Sequence, residues 1–171
     1  MEKAEIESIA DRYLDSLYYI AVNYCKNADD ASDAVQNAFL KLINTDTVFT
    51  GDDHVRRWLI RVTINECKRF WQSFWRRNIV SLEMLHDANE NDPIFRLNED
   101  SDPVSANEIW EAVTSLPSKY SVVLHLHYYE GFNVAEIGEM LNLSPSNVQI
   151  RLYRGRKKLK DVLEKKGIVY E

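Results

Sequence analysis

Apolar residues recur every three to four positions along almost the whole of this chain, a period that predicts helices. Over residues 5–26, Ile6, Ile9, Tyr13, Leu17, Ile20 and Tyr24 form one stripe, so a first helix is expected there. Residues 27–30 are a polar break. A second helix follows over 30–44, with Val35, Phe39, Leu42 and Ile43 expected inward and Asp33, Gln36 and Asn37 left outside. A polar loop at 45–53 leads to a long third helix over 54–76. There Trp58, Val62, Asn65 and Arg69 share one face, expected to lie against the first two helices. Arg57, Arg61, Ile64, Lys68, Trp71 and Trp75 form a second stripe on the same helix. Periodicity then fades. Residues 78–106 are rich in Asn, Asp and Glu and read as an extended linker, with Leu82 and Leu85 as local anchors. It returns over 107–166. The expected fold class is all-α, with a three-helix domain over 1–77 and a second helical domain over 107–171, joined by an acidic linker.

The second domain carries the most specific pattern. Val134, Ile137 and Leu141 mark a short helix, and Leu143 closes a tight turn. Ser144 stands where an N-cap belongs and Pro145 suits the first helical position. Val148, Leu152, Gly155 and Leu159 then repeat at helical spacing. The opposite face holds Asn147, Ile150, Tyr153, Arg154, Lys157 and Lys158. Two helices joined this tightly, the second one basic, have the form of a helix-turn-helix whose second helix fits a major groove. The plainer alternative is a helical hairpin with a solvated charged face.

A net charge of −6 runs against nucleic-acid binding, but its distribution does not. Residues 1–53 hold four Lys/Arg against eleven Asp/Glu, and 54–77 hold seven against one. Residues 78–115 hold one against nine, and 144–166 hold eight against two. A phosphate backbone responds to charge within about a Debye length, ~8–10 Å, so two segregated basic blocks fit two contacts on one nucleic acid. Cations interleaved with indoles on the third helix suit phosphates and unstacked bases, the alternative being Trp71 and Trp75 packed on the linker or second domain.

Catalytic chemistry is hard to find. His125 and His127 stand at i and i+2 of a helical run and point to nearly opposite faces, a poor metal pair. Asp29, Asp30 and Asp33 lack the glycine and terminal glutamate of a calcium loop and suit a helix N-terminus instead. There is no glycine-rich phosphate loop and no nucleophile elbow. Cys25 and Cys67 are expected as isolated, reduced, partly buried thiols. The first residues lack the basic start and apolar core of a signal peptide, and no apolar run approaches the roughly 18 residues of a membrane span. A cytoplasmic, non-enzymatic protein without cofactor or metal, and without membrane insertion, is the expectation.

Four runs, in order, resemble the bacterial sigma factors of the extracytoplasmic-function type. Asp30-Ala31-Ser32-Asp33-Ala34-Val35-Gln36-Asn37-Ala38-Phe39 is similar to the family's D-A-E-D-x-x-Q-E-x-F helix. Val55-Arg56-Arg57-Trp58-Leu59-Ile60-Arg61-Val62-Thr63-Ile64-Asn65 is similar to its F-x-x-W-L-x-R-I-A-x-N segment. Leu116-Pro117, the apolar 122–126 and Tyr129-Glu130-Gly131 resemble its L-P-x-x-x-R-x-V-x-x-L…Y-x-E-G run. Residues 144–156 resemble its S-x-x-T-V-x-x-R-L-x-R-A-R recognition helix.

The resemblance implies three partners: core RNA polymerase, promoter DNA and an anti-sigma factor. It implies that the outer side of the second helix (Asp33, Gln36, Asn37) binds the polymerase clamp. The 45–53 loop would capture a base flipped from the minus-ten element, with Arg57, Arg61, Asn65, Lys68 and Trp71 on the adjacent strand. In the second domain Gln149, Ile150, Tyr153 and Arg154 would face bases of the minus-thirty-five element. Asn147, Arg151, Arg156 and Lys157 would mostly meet phosphates. The linker would thread the polymerase cleft. The chain departs from the pattern at three places: Asn37 replaces an acid, Ile150 a small polar residue, and Gly155 an alanine. Ile150 suggests apolar contact with a thymine methyl or a sugar. Gly155 is expected to loosen its helix by about 0.5–1 kcal/mol relative to Ala. Two other readings stay open: a stand-alone helix-turn-helix regulator binding duplex DNA as a dimer, and an interaction protein with no DNA role.

Overall fold

A computed structural model describes residues 1–78 and 104–167, with side chains for 1–70, Gln72 and 108–167. The described residues are helical with no strand, as the periodicity predicts. The chain divides into two compact units, Met1–Ile79 and Val80–Glu171. Most of the acidic stretch, with Leu82 and Leu85, lies outside the described residues.

The first unit is a bundle of α1 (Lys3–Cys25), α2 (Ala28–Asn44) and α3 (Asp52–Asn78), each packed on the other two. Helix α1 stops at Lys26, which takes the left-handed conformation (φ 56°) and returns its N–H to the Val22 carbonyl at 2.9 Å. Asn27 then caps α2 by accepting from the Asp30 N–H at 3.0 Å. The resulting turn is short enough to force α1 and α2 antiparallel.

Ile9, Leu17 and Ile20 of α1 are buried, and the seam of α2 is Ala31, Ala34, Val35, Ala38 and Leu42. These alanines correct the expectation for α2. Small residues let the helix approach its neighbours closely, so Phe39 is only half-buried and Ile43 is 51% exposed.

Helix α3 also turns differently from its expected orientation. Because it packs on both α1 and α2, its buried face is broad: Val55, Leu59, Ile60, Thr63, Ile64, Glu66 and Cys67. Ile64 is fully buried and does not belong to the cationic stripe. Trp58 and Val62 are half-buried and Asn65 and Arg69 exposed, so the face expected inward looks outward. The Trp58 ring, expected against α1 and α2, instead meets Phe49 of the 45–51 loop edge-on at 5.6 Å. Cys25 and Cys67 are both free and buried, and they are not isolated. A hydrogen bond with Cys25, followed by burial, drives the Cys67 thiol well above the ordinary thiol range, so it stays protonated.

The second unit runs α4 (Val104–Ser115), α5 (Ser118–Leu124), one π turn (His125–Tyr129), α6 (Val134–Leu141) and α7 (Pro145–Lys165). The π turn is a feature the 3.6-residue period did not disclose. Its wider winding buries both His125 and Leu126 and leaves Tyr128 and Tyr129 outside. His125 Nε2 lies 3.2 Å from Glu130 Oε1, and His127 Nδ1 lies 2.9 Å from the Phe132 carbonyl. Gly131 (φ 78°) ends the run.

Asn133 and Glu136 then form a reciprocal capping box that starts α6, with bonds of 2.9 and 2.8 Å. The turn out of α6 is fixed by two backbone requirements. Asn142 adopts φ 57°, and a Cβ on Gly138 would stand 2.6 Å from the Leu143 carbonyl oxygen. Only glycine fits there. Ser144 caps α7 by accepting from the Asn147 N–H at 3.1 Å, with Pro145 in its first turn.

Candidate nucleic-acid interface

Helix α7 is held on one side by Val148, Leu152, Gly155 and Leu163, all buried. Gly155 marks the closest approach: a Cβ there would meet Leu124 Cδ1 at 3.2 Å and Tyr120 Cβ at 3.4 Å. The departure from alanine therefore matches a tight α5–α7 contact, beyond its cost to helix propensity. The side of α7 away from this seam carries Asn147, Ile150, Tyr153, Arg154 and Lys157, all exposed. Ile150 and Tyr153 are 47% and 58% exposed, an apolar pair set among cations. Lys157 Nζ sits 5.7 Å from the Tyr153 ring centre, in cation–π range.

Two cations are turned to the flanks. Arg151 Nε donates to Asn147 Oδ1 at 3.1 Å, which fixes both side chains over the first turns of the helix. Arg156 Nη1 donates to the Tyr128 hydroxyl at 3.1 Å and lines an apolar groove of about 610 Å³ with Ile109, Leu159 and Leu163. Gln149 is exposed on that same flank.

In the first unit, the outward face of α3 presents Trp58, Arg61, Asn65, Arg69 and Gln72, with Lys68 half-buried beside them. Arg57 is a third exposed and its Nε lies 2.9 Å from Asp53, an i,i+4 pair whose carboxylate is 66% exposed. The Trp71 and Trp75 side chains lie outside the described residues. Behind this face sits Glu66, 1% exposed, which accepts from Lys41 and from Asn37 Nδ2 (3.3 Å) on α2, and from Arg69 Nη1 (3.2 Å). Burial pushes the Glu66 carboxyl up, but the Lys41 ammonium and the Arg69 guanidinium outweigh it and hold the group below its ordinary value. Sequence reasoning missed this hub. Its signal was there in Asn37: an acid at that position would face the Glu66 carboxylate.

Of the α2 side chains, Asp33 and Gln36 are exposed, whereas Asn37 is half-buried against Glu66. Gln36 borders a groove of about 480 Å³ between α1 and α2, lined by Leu14, Tyr18, Phe39, Leu40 and Ile43. Ile43, expected inward, lines this groove instead, beside the exposed Leu14 and Leu40.

Residues 9–77 match the family model described as Sigma-70 region 2, and residues 106–159 match Sigma-70, region 4. The chain is 29% identical to the ECF RNA polymerase sigma factor SigW of Bacillus subtilis, over 91% of this chain and 87% of that protein. It is 22% identical to the RNA polymerase sigma factor SigV of the same organism, over 97% and 95%.

The chain belongs to the extracytoplasmic-function sigma factors.

Both regions are present in family order, and the exposed cationic faces of α3 and α7 fall inside them. The fold agrees: the sigma factor RpoE of Bartonella quintana, solved in complex with the anti-sigma factor NepR, superposes with a TM-score of 0.70. That likeness covers 94% of this chain and 97% of RpoE at 16% identity. As a sigma factor the chain directs RNA polymerase to promoters. Among the described residues no helix is long and apolar enough to cross a membrane.

Proposed function

We propose that the two exposed cationic faces are the two promoter contacts, α7 on the minus-thirty-five element and α3 with its preceding loop on the minus-ten element. The observation that carries this reading is the band Ile150, Tyr153, Arg154 and Lys157, exposed on a helix whose opposite side is locked into the core. A helix so held presents its side chains to a major groove without rearrangement. Ile150, Tyr153 and Arg154 face base edges, and Gln149 reaches them from its flank. Asn147, Arg151, Arg156 and Lys157 meet phosphates, Arg151 and Arg156 from the flanks.

On the minus-ten side Arg61, Asn65 and Lys68 line the exposed strand. Arg57, paired with the exposed Asp53, and Trp71 complete the set. Extruding a base costs a few kcal/mol, least at weakly stacked steps, so melting becomes sequence-dependent. Core polymerase docks on Asp33 and Gln36 and on the apolar groove beside them, with Asn37 bracing α2 from within.

The protein acts by binding, with no reaction or cofactor of its own, in the cytoplasm where polymerase works. An anti-sigma factor binds it and holds it inactive; RpoE was solved in complex with the anti-sigma factor NepR. A stand-alone helix-turn-helix regulator does not account for residues 9–77.

In vitro transcription with core polymerase over a promoter library, with start-site mapping, tests the reading. Defined starts that vanish when either promoter element is scrambled are expected. Starts no different from those of core enzyme alone would refute it.

A further inference from the structure

The loop that enters α3 is tied down at both ends. At its start the Thr47 N–H donates to Thr45 Oγ1 at 3.2 Å, and the two threonine hydroxyls lie 2.8 Å apart. At its end the Thr50 N–H donates to His54 Nδ1 at 3.2 Å, the Thr50 hydroxyl lies 3.3 Å from the same nitrogen, and the Val55 N–H donates to the Gly51 carbonyl at 3.3 Å. The His54 ring also meets the edge of Phe49 at 5.2 Å, and Phe49 in turn meets Trp58. Asp52, two residues before His54, is gripped by Arg12 and Tyr13 of α1, so the first turn of α3 is anchored to the bundle. Between the two ties stands Val48, 85% exposed.

Water would satisfy an exposed Thr50 N–H equally well, so folding does not need the imidazole acceptor. What the acceptor does is fix where the loop backbone stands relative to Trp58 and the cationic face of α3. We propose that His54 is a positioning residue for minus-ten recognition: its Nδ1, by holding the Thr50 N–H, sets the loop geometry that discriminates the extruded base. This rests on the promoter reading above and adds to it the residue that gives the loop its selectivity. Nδ1 is an acceptor only in the neutral Nε2–H tautomer, the form the Thr50 N–H selects.

The test uses the full-length protein with core polymerase and a promoter carrying 2-aminopurine at successive minus-ten positions, to find the base whose fluorescence rises on extrusion. Open-complex formation is then compared for all four bases at that position. His54→Ala should reduce discrimination there by about two- to tenfold, the worth of one neutral hydrogen bond, with core affinity and minus-thirty-five preference unchanged. His54→Asn places Oδ1 at the same bond distance from the backbone as Nδ1 and should restore selectivity; His54→Gln, with its acceptor one bond further out, should not. Undiminished discrimination in His54→Ala would overturn the proposal. So would equal behaviour of the Asn and Gln variants, which would assign any effect to ring packing on Phe49. A wild-type protein that directs no transcript at all would instead overturn the promoter reading.

Discussion

Replacing Glu66 with glutamine removes one negative charge from the interior of the first unit while changing almost no volume. The carboxylate is 1% exposed and receives donors from two helices: Asn37 and Lys41 from α2, and Arg69 from α3. Glutamine keeps one acceptor oxygen but turns an NH2 group toward these donors. Hydrogen bonds to charged groups contribute roughly 1.5–3 kcal/mol each. Lys41 and Arg69 are 50% and 69% exposed, so water recovers much of what they lose. A net loss of about 2 kcal/mol follows, or a fall in Tm of roughly 8–16 °C for a unit of this size.

The pH dependence supplies the sharper check. The folded carboxyl lies below its ordinary value of 4.5, so its stabilisation is complete above that value and is lost as pH falls through the folded pKa. Glutamine does not titrate. The wild-type advantage in urea unfolding should therefore be full at neutral pH and shrink steadily as pH falls below 4.5. A Glu66→Gln variant as stable as wild type at neutral pH would show that the charge on Glu66 does not stabilise the first unit. So would a difference that persists undiminished in acid.

Other consequences are simpler to read. Gly138→Ala drives a Cβ to 2.6 Å from a backbone oxygen that cannot move without opening the turn, so the second unit should lose about 1–3 kcal/mol in denaturant unfolding. Arg154→Ala should cost about 1–3 kcal/mol on the cognate minus-thirty-five element and relax preference at one position. Lys157→Ala should instead weaken holoenzyme binding to all sequences alike and lower the salt slope by about 1. Ile43→Glu puts a charge into the α1–α2 groove at a position 51% exposed, so thermal stability should hold while affinity for core polymerase falls at least several-fold in a binding titration.

Helix existence is legible where apolar spacing and a cap agree, as at Ser144, which offers an acceptor to a free N–H of α7; in the structure Asn27 and Asn133 do the same for α2 and α6. Helix orientation was less so. Ile43 fits the apolar period yet lies outside, since the seam of α2 is built from Ala31, Ala34 and Ala38, which carry little weight in a hydrophobic stripe, and Trp58 lies half-buried because α3 turns a different face to α1 and α2. The burial of Glu66 carries no local signal, because its partner Lys41 is distant in sequence. The π turn at His125–Tyr129 follows no 3.6-residue signal, and the meeting of Cys25 with Cys67 depends on how α1 packs on α3. At the nucleic-acid interface, the outward residues of α7 could be read from its period because Val148, Leu152 and Gly155 fix the opposite side. What periodicity could not supply were the internal contacts that occupy Arg57, Arg151 and Arg156.

In the function proposed above, this chain opens promoters only together with polymerase, through two separate contacts. Permanganate reactivity of unpaired thymines on a cognate promoter tests it directly. Protein plus core enzyme should make minus-ten thymines reactive, neither component alone should do so, and scrambling the minus-thirty-five element should suppress the signal. A purified protein that binds the duplex tightly by itself, with no thymines exposed when core enzyme is added, would contradict the account.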